Sequence, residues 1–237
     1  MIIMRFSREA LLLGENAVKE LAGKHVAVFG LGGVGGSAAE ALARAGVGTL
    51  TLVDNDEFSE SNINRQAGAA ESTLGRSKAE VMAERARDIN PDIKVYPVTV
   101  KYSAETRDTF RFDEYDYILD AIDLVSCKLD LIETALARGV PIISSLGTGN
   151  KLDASQLRVT DISKTENCPL ARVMRKELRY RGINHLKVVF SAEEPIKTVT
   201  DEAPPPGRRS IPGSVSWVPP AAGLMAAGAV VLDLIGK

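Results

Sequence analysis

The sequence lacks the features that mark secreted, disulfide-rich proteins. Only two cysteines, Cys127 and Cys168, occur among the 237 residues, and there is no CxxC pair. Two distant thiols argue against a disulfide framework and indicate a reducing compartment. The N-terminus, residues 1–5, also lacks the long apolar stretch and small-residue cleavage site of a signal peptide. We therefore expect a cytoplasmic protein.

Long hydrophobic runs and an excess of one charge are lacking as well. The most apolar segment covers only residues 221–232, well short of the roughly 20 residues that span a bilayer. We expect a buried or interfacial helix there and no contact with a membrane. The net charge of −2 gives no overall attraction to nucleic acid, so any site for a polyanion has to be a local patch.

A glycine-rich turn follows the first apolar run, residues 25–29, and Asp54 ends the next apolar run. This order of strand, glycine turn, helix, strand and acidic residue is the nucleotide-binding fingerprint. We expect Asp54 to bind ribose hydroxyls, and the glycines to bring backbone N–H groups and the positive helix end close to phosphate. The glycines of the turn are Gly30, Gly32, Gly33 and Gly35.

The apolar pattern predicts a doubly wound, Rossmann-like α/β fold with a mostly parallel sheet. Strands are predicted at 25–29, 49–54, 94–100, 116–120 and 140–145, and helices at 10–21, 36–45, 77–89, 104–110 and 126–138. Beyond residue 150 the pattern changes to a strand at 155–162, a basic helix at 168–181 and a strand at 186–191. An irregular, proline-rich stretch follows at 193–213, and such stretches are usually mobile or functional. We predict one domain, with a nucleotide-binding core over 1–150 and a C-terminal α+β elaboration over 151–237.

Polar and charged side chains cluster in sequence after Asp54. Such donors beside a phosphate turn suit a nucleoside triphosphate, whose phosphates must be gripped while the α-phosphate is attacked. The alternative is a solvated polar loop followed by a capped helix. The residues concerned are Asp56, Asn62, Arg65, Gln66 and Lys78.

Two carboxylates, Asp120 and Asp123, lie at the end of the strand predicted at 116–120. Mg²⁺ is commonly held by one or two carboxylates together with substrate phosphates. We predict that Asp123 is a magnesium ligand. A helix cap before the helix at 126–138 is the alternative role.

These ordered motifs, together with Arg5-Phe6-Ser7-Arg8, resemble the E1-like adenylyltransferases of the ubiquitin-activating and ThiF type. The resemblance covers residues 5 to about 150. It implies ATP and Mg²⁺ as cofactors, Asp54 on the ribose, Asn62 near the phosphates and Asp123 on the metal. It also implies Arg65 and Lys78 on the triphosphate, and a homodimer in which Arg8 reaches the partner's ATP site. The reaction would be attack of a carboxylate oxygen on the α-phosphorus.

The cysteines separate this chain from the protein-activating members, which commonly carry two CxxC pairs for a structural zinc. Cys127 lies on a predicted helix and is expected to be a small buried residue. Cys168 precedes Pro169 at a predicted helix start, where a thiolate could be stabilised. A purely structural role for Cys168 stays open.

The C-terminal segment 205–224 is similar to the branch of this family that acts on threonylcarbamoyladenosine in tRNA. That similarity implies activation of the threonyl carboxylate next to the anticodon, followed by loss of water and ring closure. One alternative is an adenylyltransferase for the C-terminus of a sulfur-carrier protein, with sulfur-transfer proteins as partners. Another is a nucleotide-sensing module.

A local excess of positive charge supports a polyanionic substrate. Residues 164–187 contain seven lysines and arginines against two acids. Such a face would supply phosphate contacts to the anticodon arm of tRNA, although a solvated helix face is the alternative. The residues predicted to bind tRNA are Arg172, Arg175, Lys176, Arg179, Arg208 and Arg209.

Overall fold

A computed structural model describes residues 4–198 and 212–237. Its centre is a seven-stranded sheet of order β3-β2-β1-β4-β5-β7-β6, parallel throughout except for the antiparallel pair β6 and β7. The strands are β1 (His25–Phe29), β2 (Thr49–Val53), β3 (Lys94–Val98), β4 (Tyr117–Asp120), β5 (Ile142–Ser145), β6 (Leu157–Asp161) and β7 (Lys187–Ser191). The helices are α1 (Ser7–Leu13), α2 (Glu15–Leu21), α3 (Gly33–Arg44), α4 (Lys78–Ile89), α5 (Val125–Ala137), α6 (Pro169–Tyr180) and α7 (Val218–Leu234). The predicted fold class is confirmed.

Helices cover both faces of the sheet, which explains why its central strands are almost continuously apolar. Alternate residues of a strand point to opposite faces. In β1, Val26 and Val28 accordingly join a core with α3, α4 and α7, while Ala27 and Phe29 join a second core with α5 and α6. The glycine turn follows directly after β1 and therefore begins between these two cores.

The C-terminal part extends the nucleotide-binding sheet. Strand β7 pairs with β5, β6 adds an antiparallel edge, and α7 packs on α3. No helix within residues 4–198 and 212–237 is long and apolar enough to cross a membrane.

Two predicted helices differ from the structure. The segment 10–21 contains two short helices, because Gly14 adopts a φ of 95° between α1 and α2. The segment 104–110 contains only one 3₁₀ turn, Arg107–Thr109, and a second one follows it at Phe112–Glu114. Of the irregular stretch 193–213, residues 199–211 lie outside the described part of the chain. Arg208 and Arg209 fall there.

Candidate functional site

The glycine turn lies tightly against the loop that follows β4. Gly30 has a φ of 86°, and a Cβ on it would lie 2.7 Å from the carbonyl oxygen of Ala121. A Cβ on Gly35 would collide with the Gly30 carbonyl oxygen. At Gly32, in contrast, the only described atom within 4 Å of such a Cβ is Gln66 Nε2, at 3.9 Å. The turn is therefore packed on its inner side and has room for a ligand at Gly32.

Asp54 fastens this turn to the end of β2. Its Oδ2 accepts the N–H of Leu31 at 2.6 Å, and its Oδ1 accepts the N–H of Asp56 at 2.9 Å. Burial raises the pKa of Asp54, and the two backbone hydrogen bonds act in the opposite direction. Each carboxylate oxygen has a second lone pair, so Asp54 can also accept a ribose hydroxyl.

Lys78 begins α4, so its ammonium lies at the positive end of a helix. Its Nζ is 3.3 Å from Oδ2 of Asp56, and the side chain is 8% exposed, whereas that of Asp56 is 62% exposed. A lysine amine beside a helix N-terminus favours an anion such as phosphate. Asp56 holds this amine in the absence of a ligand contact.

Arg65 lies on the other side of the turn. Its carbonyl oxygen and Cγ would be 3.3 and 3.5 Å from a Cβ on Gly33. The guanidinium Nη1 donates to the Ser61 carbonyl at 2.9 Å and to Asn64 Oδ1 at 2.8 Å. Burial lowers the pKa of Arg65. The structure thus brings Arg65, the glycine turn and Asp54 into one site, as the sequence predicts.

Two amides lie beside this site. Asn62 Oδ1 accepts the N–H of Ser59 at 3.2 Å and so holds a 3₁₀ turn together. Gln66 is buried, and its Oε1 has no hydrogen-bond partner among residues 4–198 and 212–237. A buried polar atom without a partner costs about 1–3 kcal/mol. That cost is removed if a ligand donates to Gln66, so the site fits a hydrogen-bonding ligand such as a nucleotide.

The two carboxylates after β4 have different surroundings. Asp120 is fully buried and forms an ion pair with Lys128, whereas Asp123 is exposed on the following loop. Asp120 Oδ1 accepts the N–H of Ile122 at 3.0 Å and thereby holds that loop. Helix α5 has Leu124 at its N-cap position, directly after Asp123. Both roles expected for Asp123, metal ligand and helix cap, stay predictions.

Arg8 lies on helix α1. It lines a cleft of 830 Å³ between α1, α3 and the start of α7. Asp54, Lys78 and Asp123 are not among the residues that line this cleft.

The basic helix α6 presents three cations at i, i+4 and i+7, namely the exposed Arg172, Lys176 and Arg179. Arg175 differs, because its half-buried guanidinium donates to the carbonyls of Thr165, at 2.8 Å, and Ile162. The helix begins at Cys168, whose buried Sγ accepts the N–H of Ala171 at 3.5 Å. Arg175 therefore holds the preceding loop, and the exposed cations of α6 are Arg172, Lys176 and Arg179.

Two buried lysines, Lys128 and Lys151, were not identified from the sequence. Lys128 stands in the apolar pattern of α5, which is a signal for a buried ion pair with Asp120. Lys151 lies in a loop, and nothing in the local pattern indicates its burial.

Comparison with known proteins defines the class to which this fold and site belong. The model of the ThiF family matches residues 6–232, so the chain belongs to the ThiF family. The chain is similar to tRNA threonylcarbamoyladenosine dehydratase of Bacillus subtilis, with 41% identity over 243 residues, 99% of this chain and 96% of that protein. The molybdopterin-synthase adenylyltransferase of Escherichia coli is 34% identical over 147 residues, 60% of this chain and 57% of that protein.

A solved structure supports the same relationship. The crystal structure of E. coli tRNA N6-threonylcarbamoyladenosine dehydratase in complex with AMP has a TM-score of 0.89 and 33% identity, and the match covers 100% of this chain and 98% of that chain. The same E. coli enzyme in complex with ATP has a TM-score of 0.88 and 35% identity, over 98% and 94% of the two chains.

Proposed function

We propose that this chain is an ATP-dependent enzyme that dehydrates and cyclises N6-threonylcarbamoyladenosine in tRNA. The observation that carries this proposal is the 41% identity to the Bacillus subtilis dehydratase over nearly the full length of both proteins. The packed glycine turn and the orphaned Gln66 Oε1 support a nucleotide at the same site.

In the first step, the threonyl carboxylate attacks the α-phosphorus of ATP, forming an acyl-adenylate and releasing pyrophosphate. Asp54 and Asp56 hold the nucleoside end, while Lys78, Arg65 and Asn62 stabilise the charge that develops on the phosphates. Their places around the glycine turn support these roles. In the second step, a carbamoyl atom attacks the activated carbon and AMP leaves, so one molecule of water is lost overall.

Asp123 would hold Mg²⁺ against these phosphates. No group of three or more potential metal ligands occurs within the described residues. An exposed single carboxylate nevertheless fits Mg²⁺, which completes its coordination with phosphate oxygens and water. The metal would neutralise phosphate charge during adenylation.

The chain acts as a cytoplasmic homodimer in which Arg8 completes the ATP site of the partner. The Arg5-Phe6-Ser7-Arg8 motif supports this arrangement, and Asp54, Lys78 and Asp123 do not line the cleft beside Arg8. The tRNA anticodon arm lies on Arg172, Lys176 and Arg179 of α6. Arg208 and Arg209, outside the described residues, contact the same substrate.

Nucleoside mass spectrometry tests the function directly. tRNA that carries threonylcarbamoyladenosine is incubated with the protein, ATP and Mg²⁺, and then digested. The modified nucleoside should lose the mass of one water, only with ATP, and Lys78→Met should abolish the change while Lys94→Met, on the opposite edge of the sheet, retains it. If the nucleoside is unchanged but a carrier protein's C-terminus stimulates ATP–pyrophosphate exchange, the chain is a carrier-protein adenylyltransferase, and its partners are sulfur-transfer proteins.

A further inference from the structure

Lys151 is a buried lysine whose amine has no hydrogen-bond partner in the described part of the chain. The residue is 3% exposed, and its Nζ has no hydrogen-bond partner among residues 4–198 and 212–237. Lysines are almost never fully buried unless they are paired. Burial of such an amine disfavours folding, so we looked for a functional role for Lys151.

The loop around Lys151 is held by backbone hydrogen bonds that do not involve the amine of Lys151. The backbone N–H groups of Leu152 and Asp153 donate to the Glu193 carboxylate at 3.1 and 2.9 Å. On the other side, the N–H of Asn150 donates to the Gly213 carbonyl at 2.8 Å. The main chain is therefore fixed on both sides of Lys151, and none of these contacts involves Nζ.

The loop that carries Lys151 starts beside the loop that carries Asp123. Strands β4 and β5 pair in parallel, with Asp120 opposite Ser144, and neighbouring strands lie about 4.8 Å apart. Both loops leave the carboxyl ends of these strands, where α/β sheets bind ligands. Lys151 therefore belongs to the same edge of the sheet as the nucleotide residues.

The surroundings of Lys151 change the pKa of its amine. Burial lowers the pKa of its ammonium group, and the groups that act in the opposite direction are Cys168 at the start of α6 and the carboxylates Glu193 and Glu194. An amine with a lowered pKa is a stronger candidate for a base near neutral pH than an exposed lysine.

We propose that Lys151 is the general base for ring closure, an inference that rests on the proposed function. The carbamoyl group forms a bond to the acyl carbon of the adenylate, and the acyl–oxygen bond breaks so that AMP leaves with its electron pair. The carbamoyl N–H proton passes to the lone pair of Lys151 Nζ, which later releases it to solvent. Whether the oxygen or the nitrogen of the carbamoyl group attacks, an N–H proton of that group has to be removed.

The test separates adenylation from ring closure. Lys151→Met removes the amine at similar volume, Lys151→Arg keeps a positive charge that cannot act as a base, and Lys94→Met is the control for loss of an exposed lysine. For each variant we would measure tRNA-stimulated ATP–pyrophosphate exchange and single-turnover formation of the cyclic nucleoside over a range of pH. Thermal unfolding checks that each variant is folded.

For Lys151→Met we expect exchange within about threefold of the wild type and ring closure slowed about 100-fold or more, the usual contribution of a general base. Lys151→Arg should not restore closure, and labelled AMP should accumulate on tRNA in both variants. In the wild type, closure should rise with pH to a plateau, which both variants should lack.

Full closure by Lys151→Arg would overturn the proposal, because charge alone would then suffice. Equal losses of exchange and closure in Lys151→Met would also overturn it and indicate a role in binding or folding. If the wild type forms no cyclic nucleoside, the proposed function itself fails, whereas wild-type closure with an unaffected Lys151→Met removes only the role of Lys151.

Discussion

Lys128 and Asp120 form an ion pair of 2.6 Å in which both side chains are fully buried. Lys128 Nζ also donates to the Ser144 hydroxyl at 3.1 Å and to the Ser145 carbonyl at 2.9 Å. Helix α5 is thereby joined to the ends of β4 and β5, directly below the loop that carries Asp123. The pair is well satisfied, and loss of one partner would leave a buried charge.

Lys128→Met should therefore destabilise the protein by about 3–5 kcal/mol, measured by urea unfolding. The matched control is Lys24→Met, which breaks a partly exposed pair with Glu20 and should cost less than about 1 kcal/mol. Adding Asp120→Asn to Lys128→Met should recover part of the loss, because no unpaired charge remains. Similar losses in the two lysine variants would show that burial does not determine the strength of this pair.

Asp123→Asn should abolish pyrophosphate release and largely preserve ATP binding, because a neutral amide holds Mg²⁺ poorly. The measurements are ATP–pyrophosphate exchange and equilibrium binding of a labelled ATP analogue. Asp92→Asn changes an exposed carboxylate far from the nucleotide residues and should behave like the wild type. Unchanged turnover by Asp123→Asn at saturating Mg²⁺ would rule out its role as a metal ligand.

A mixture of Arg8→Ala and Asp123→Asn chains should regain activity although each variant alone is inactive. In a heterodimer, one composite site combines an intact Arg8 with an intact Asp123, and an arginine that stabilises phosphate charge accelerates phosphoryl transfer. Activity is measured after the two differently tagged chains are exchanged and the heterodimers are isolated. Isolated heterodimers without activity would mean that Arg8 acts within its own chain or not at all.

Charge reversal on the outer face of α6 should weaken tRNA binding. The triple change Arg172→Glu, Lys176→Glu and Arg179→Glu removes up to three phosphate contacts, and each lost contact lowers the salt dependence of log K by about one. Binding is measured at several salt concentrations, and ATP affinity should remain within about twofold.

The control for this experiment reverses three scattered, exposed charges, Lys19, Lys94 and Arg111, and so changes the net charge equally. If both triple variants lose the same affinity, the effect arises from total charge and α6 is not the tRNA-binding face.

The sequence predicts the glycine turn and its contact with Asp54 because their signals are local. Gly30, Gly35 and Asp54 follow from short patterns of turn and strand, and the structure brings them together. The loop that carries Lys151 is held by a hydrogen bond from the Asp153 N–H to Glu193, 40 positions away, and a local pattern contains no information about that contact. Arg175 is misleading for the same reason, because its helical position predicts exposure whereas its guanidinium binds Thr165. The single helix predicted at 10–21 was wrong because the effect of Gly14 cannot be read from the local sequence. Glycine is tolerated inside some helices and ends others.

The backbone of Asn150 holds two other segments of the chain. Its carbonyl accepts the N–H of Ile196 at 2.9 Å, and its own N–H donates to the carbonyl of Gly213. Ile196 and Gly213 are thus held by the same residue. Closing a loop whose ends already meet depends only weakly on length, at about 0.6 kcal/mol for each doubling. We therefore expect that a change in the number of residues between these two anchor points has little effect on the stability of the sheet.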